Sequence, residues 1–252
     1  MNHLISGLYE IEVLAPDPPP KDEYLNFFAQ KAKLSQRDFY FEELTRTLDA
    51  VADAMEHHLF APGRMTRCVK QPPQTQGNQT RLIRTLETQA LPAGTFWIVD
   101  GMLSAFSYLF PTLIGYHITG PTRIPVTLQP LFPQKMEPHL FPVKKDAIKS
   151  NNPIIDNLII TVDFKAPVPE DERNRLIHGF TTWERLLVGG FRMDNDPGSW
   201  SNVGASELEF ALPDRLQWQT DTLMSHPACF DTLLNMLGRW HQTLPIQEVS
   251  IG

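Results

Sequence analysis

The sequence predicts an α+β fold, and three observations carry that prediction. From 157 to 252 the hydrophobic period switches between 2 and 3.6 in the order β-α-β-β-α-β. An apolar strand leaving through Ala-Pro into an acidic helix start occurs twice, in VLAPDPPPKDEYL (13–25) and FKAPVPEDERNRL (164–176). A composition of 42% hydrophobic and 20% charged residues gives the chain enough apolar side chains to bury a core.

Taken in order, Tyr9, Ile11 and Val13 alternate as an opening strand, and Leu44, Leu48, Val51, Met55 and Leu59 line one side of a long helix. Further strands are expected at 81–87, 95–99 and 124–130. The apolar stretch 96–116 is long enough to raise a transmembrane helix. Asp100, Gly101, Pro111 and Gly115 interrupt it without flanking basic residues, so it reads as a buried strand-helix-strand segment.

In the second half Leu158, Ile160, Val162 and Phe164 alternate as a strand. Pro169 then opens a helix whose first turn carries Glu170, Asp171 and Glu172 against the positive helix end. Leu176, Phe180, Trp183 and Leu187 form its apolar side, and Gly189-Gly190 stops it. A short strand around Val188–Met193 is expected to pair with Glu207–Leu212, with the sheet extending through Leu216 and Trp218. Ser225 offers an N-cap to a second helix with Phe230, Leu233, Leu237, Trp240 and Leu244 on one stripe, and Gln247, Val249 and Ile251 make the last strand.

This order is the split βαβ unit, so residues 151–252 are expected to form a ferredoxin-like sandwich. Residues 1–150 are expected to form an α+β domain, either a second, irregular ferredoxin-like copy or an irregular half of one larger domain.

No basic segment precedes an apolar run at the amino terminus, and Cys68 and Cys229 show no zinc spacing. The expectation is a cytoplasmic protein with reduced thiols, no membrane span and no cofactor. Nucleotide-binding, zinc-protease, serine-hydrolase and kinase signatures are absent. His117-Ile118-Thr119 has the HxT form of two-histidine phosphodiesterases, but no second HxT or HxS accompanies it, so it reads as a strand end. His57-His58 are expected to cap the long helix, where the dipole favours the cation. Asp194-Asn195-Asp196 lacks the spacing of a calcium loop and reads as a turn. Same-face pairs Glu10/Glu12 and Glu207/Glu209 read as solvated strand faces.

Charge distribution is more informative. Residues 1–60 hold 5 basic and 11 acidic residues, and residues 87–252 hold 12 and 18. Residues 61–86 hold Arg64, Arg67, Lys70, Arg81 and Arg84 with no acid, around the polar run QPPQTQGNQT. Such a stretch is a candidate loop for phosphates or an acidic partner. Lys144, Lys145 and Lys149 extend the positive surface if the fold brings them near. Trp200, in the Gly-rich stretch 189–204, is a candidate stacking residue.

Paired sandwiches with a Gly-rich loop and a basic insertion resemble, in architecture, the RNA-holding subunits of CRISPR effector complexes. In those subunits the Gly-rich loop often lies between the last helix and last strand, whereas here it falls between the middle strands. The resemblance implies a non-catalytic RNA-binding subunit of a multiprotein assembly, with Arg64, Arg67, Lys70, Arg81, Arg84 and Trp200 as its contacts. The alternatives are a protein-binding adaptor or immunity-type inhibitor using the acidic surface, and a small-molecule enzyme built around His117, Trp200 and Glu209.

Overall fold

The computed structural model describes residues 4–60, 67–110, 113–121, 132–133, 140–145, 158–192, 207–220 and 225–252. Within them lie two five-stranded sheets and five helices.

The first strand, β1 (Leu4–Pro16), turns Tyr9, Ile11, Val13 and Ala15 inward, all fully buried. Two helices follow, α1 (Glu23–Lys31) and α2 (Gln36–Glu56). Each has a side-chain cap: Asp22 accepts from the Leu25 N–H at 2.8 Å and Ser35 Oγ from the Asp38 N–H at 3.1 Å. The strands β2 (Arg67–Lys70) and β3 (Gln74–Gln76) both pair with the long β4 (Gln79–Pro92), and α3 (Gly94–Leu109) leads to β5 (Gly115–Thr119). The sheet runs β2-β4-β1-β5, antiparallel throughout. Residues 95–99, expected as a strand, belong to α3. Ten of the sixteen residues of that helix are buried, so it is apolar around most of its circumference and lacks the one-sided stripe that marks an amphipathic helix.

The second sheet takes in β6 (Val143–Lys145), β7 (Leu158–Phe164), β8 (Glu207–Leu212), β9 (Arg215–Thr220) and β10 (Ile246–Ile251), in the order β6-β10-β7-β9-β8. Two helices complete this half, α4 (Glu170–Leu187) and α5 (Cys229–Trp240). Leaving β6 aside, the four main strands lie in the spatial order fourth, first, third, second. The first half repeats that order with β5, β1, β4 and β2, its strands likewise separated by helices after the first and third.

Two expectations for the second half are corrected. Residues 188–192 make turns rather than a strand, because Gly189 adopts φ +76° and sends Phe191 into the core. The partner of β8 is instead β9, through a tight hairpin at Pro213-Asp214. Ser225 does not cap α5: the helix begins at Cys229, and the buried Ser225 Oγ has no hydrogen-bond partner among the described residues.

One continuous core runs through both halves, and α2 packs on α4. Where α3 meets the turn after α4, the approach is bare backbone. A methyl placed on Gly101 of α3 would lie 2.1 Å from the Gly189 carbonyl oxygen, and one on Gly189 would lie 2.4 Å from Ala105 Cβ. Asn235 of α5 donates to the Leu59 carbonyl at 3.1 Å, a second tie between the halves. No described helix is long and apolar enough to cross a membrane.

Candidate functional site

The four described cations of the basic stretch sit on strands: Arg67 and Lys70 on β2, and Arg81 and Arg84 on β4. Alternation along β4 sends Arg84 inward with Leu82 and Leu86, where a lone charge would be costly. It is paired: Nε donates to Asp49 Oδ1 of α2 at 2.7 Å, and Nη1 to the Ile83 carbonyl at 2.9 Å. Lys70, opposite Arg84 across the ladder, reaches the other Asp49 oxygen at 2.7 Å. That bond holds the Lys70 ammonium above its ordinary range. Arg81, on the outer face, makes a two-pronged pair with Glu12 of β1 at 2.6 and 2.9 Å, which holds the Glu12 carboxyl below its usual range. Arg67 is exposed and joins none of the ion pairs among the described residues. Arg64 and Trp200 lie outside the described residues, as do Lys149 and the expected strand 124–130. Lys144 pairs with Glu248 at 2.8 Å on the other sheet.

His57 corrects the expectation of a cationic cap. It occupies the C-cap of α2, but its ring is buried against His178 at 4.9 Å and Trp240 at 6.0 Å. Burial pushes it down to about 4, overriding the helix dipole. His117 stands exposed in β5 opposite Glu12.

A polar cluster that sequence reasoning missed joins the halves. Asp100 of α3 accepts from the Tyr116 hydroxyl and from Arg192 Nη2, both at 2.6 Å, and Arg192 lies over the Trp97 ring at 5.2 Å. Burial, with the bond to Asp100, pushes the Tyr116 phenol up to about 12. Only the odd acid Asp100 in an apolar run pointed to this cluster. Among the described residues no group of three His, Cys, Asp or Glu could hold a metal ion.

No family model and no curated protein matches this chain. Its solved likenesses are faint. A protein provisionally assigned as a glycine cleavage system transcriptional repressor aligns over 98% of this chain and 97% of its own, at 7% identity and a TM-score of 0.24. An unknown protein from Galdieria sulphuraria aligns over 98% and 99%, at 8% identity and a TM-score of 0.22. Chlorite dismutase from Candidatus Nitrospira defluvii aligns over 94% and 83%, at 14% identity and a TM-score of 0.21. Scores this low transfer neither fold nor function.

The second sheet has an exposed face as well. Ile159, Glu209, Gln217 and Gln219 line a shallow depression of about 90 Å³ there. Arg215, on β9 beside it, is held by Asp163 in a two-pronged pair at 2.5 and 3.2 Å. Glu209 is exposed and joins no ion pair among the described residues.

Proposed function

We propose that this chain is a non-catalytic binding subunit of a cytoplasmic assembly, made of two ferredoxin-like units at 1–150 and 151–252, that recognises a basic protein partner. The observation that carries this reading is the use of the chain's own cations: Lys70, Arg81 and Arg84 are all spent on Asp49 and Glu12. With a net charge of −7, the surplus on offer is carboxylate. Among the described residues the depression at Glu209 is lined by one carboxylate, two amides and an isoleucine and by no aromatic ring, which suits a cationic protein surface better than stacked bases. The test is affinity capture from the native source with the wild type and Glu209→Lys at low and moderate salt. A stoichiometric basic protein retained by the wild type and lost with the variant supports the reading. The same proteins on both baits would refute it.

A second reading is favoured by the exposure of Arg67 and the half-exposed Lys70 and Arg81, whose pairs a phosphate could displace at small cost. Here the same strands would grip RNA, with affinity falling steeply as salt rises. Anisotropy titrations with single-stranded RNA at two salt concentrations separate the two. Salt-sensitive binding abolished by Arg67→Ala with Arg81→Ala would favour RNA, and its absence would leave the protein partner.

A further inference from the structure

The cleft between the helical layers is lined on one side by the aromatic side chains of α1, α2 and α3 and closed on the other by the end of α4. It has a volume of about 240 Å³. Its walls are Tyr24 and Phe28, Phe39, and Phe106 with Phe110, in a chain of ring contacts at 4.6, 6.4, 6.1 and 5.0 Å. Apolar space of about 150 Å³ already holds a benzene-sized molecule, so this cleft has room for a ring with a short chain or for a chain of several methylenes.

The polar lining is Glu43, Thr47 and Arg185, and its hydrogen-bonding capacity is lopsided. The Thr47 hydroxyl donates to the Glu43 backbone carbonyl at 2.9 Å. The Glu43 carboxylate accepts from Arg46 at 2.7 Å. Arg185 approaches Glu43 only to 3.7 Å, beyond hydrogen-bond range, and its guanidinium makes no hydrogen bond among the described residues. The cleft therefore presents, at the edge of an aromatic box, one guanidinium whose donors make no hydrogen bond among the described residues and whose ion pair with Glu43 Oε2 is long, while the other Glu43 oxygen is held by Arg46.

We infer that this cleft is a binding site for a small amphipathic carboxylate, its apolar body among the rings of α1 to α3 and its carboxylate on Arg185. A carboxylate matches the guanidinium fork with two parallel hydrogen bonds, which a hydroxyl cannot do and which the 3.7 Å approach of Glu43 does not make, so it would take over Arg185 while Arg46 keeps Glu43. Since Arg185 belongs to the second half and the rings to the first, the ligand would bridge the two.

Calorimetric titration of the full chain with sodium octanoate, 1-octanol and octylamine tests this. The expected result is one octanoate per chain, octanol bound more weakly and octylamine not at all. Arg185→Gln should weaken octanoate at least about tenfold while leaving octanol unchanged, with partial recovery in Arg185→Lys. A thermal melt of each variant checks that the fold is intact. The inference is overturned if octanoate fails to bind, binds no better than octanol, or binds Arg185→Gln as well as the wild type.

Discussion

Arg84 and Asp49 meet at 2.7 Å where β4 crosses α2, and the arginine side chain is 4% exposed. The pair adds one directional contact between helix and sheet to the apolar packing of α2. Removing one partner leaves a charge with poor solvation, so Arg84→Ala should cost about 2–4 kcal/mol in urea unfolding. Lys70 remains beside Asp49 and limits the loss. A double-mutant cycle with Asp49→Ala should return a coupling of about 1 kcal/mol or more, and a coupling near zero would deny the pair its role.

The outer pair is a different case. Arg81 is 41% exposed and Glu12 22%, so water already competes for both. Arg81→Gln should change stability by less than about 1 kcal/mol in the same unfolding assay.

Backbone contact between the halves sets a third expectation. Gly189→Ala adds a methyl 2.4 Å from Ala105 Cβ at a residue with φ +76°, so crowding and backbone strain add. A loss of about 2 kcal/mol or more is expected. Gly77→Ala, with φ +62° and open space around it, isolates the conformational part and should cost less, about 1 kcal/mol.

The pH dependence follows from His57. Its folded-state value of about 4 lies below the ordinary 6.5, so between these the unfolded chain binds a proton that the native state refuses. Stability is therefore constant above about pH 6.5 and falls as pH drops towards 4, by up to about 3 kcal/mol from this group. His58 and His226, also lowered by burial, act in the same sense. Glu12 and Asp17, lowered by their arginine partners, add stability that is lost only at still lower pH. Chemical unfolding of wild type and His57→Phe between pH 4 and 7 should show a shallower slope in the variant, and parallel curves would contradict the assignment.

Both thiols should be quiet in the native protein. Burial raises Cys229 far above the usual thiol range and Cys68 by a smaller amount, so the thiolate is scarce at neutral pH. A thiol reagent at pH 7.5 should label Cys68 slowly and Cys229 only after urea is added, with both then reacting at once.

The elements with a clear period were legible. Leu158 to Phe164 and the stripe from Leu176 to Leu187 lie where the alternation put them, because each buries one face, and α5 was legible although nine of its twelve residues are buried, because Asp231, Gly238 and Arg239 still interrupt its apolar run. Phe96 to Val99 misled because a helix buried on most sides and a buried strand share the same unbroken apolar run. Over its described part, 188–192, the strand expected at Val188–Met193 failed at Gly189, whose positive φ turns the chain just where the apolar residues continue. The charged stretch shows a different limit. Five cations without a nearby acid in sequence read as a free surface, yet Asp49 precedes Arg84 by 35 positions and Glu12 precedes Arg81 by 69. Nothing local to 61–86 could announce partners that the sheet and α2 bring in from elsewhere. The aromatic cleft was equally hidden, since its rings come from three helices and its arginine from a fourth.

Where Gly101 faces Gly189, main chain touches main chain, and no side chain stands between as a cushion. Such a joint has no intermediate settings. The smallest wedge chemistry can insert is one carbon, and one carbon is already too thick, so the halves cannot be re-spaced by gradual substitution. Bringing the halves closer there is closed off, whereas drawing them apart would open a gap that no side chain is in place to fill.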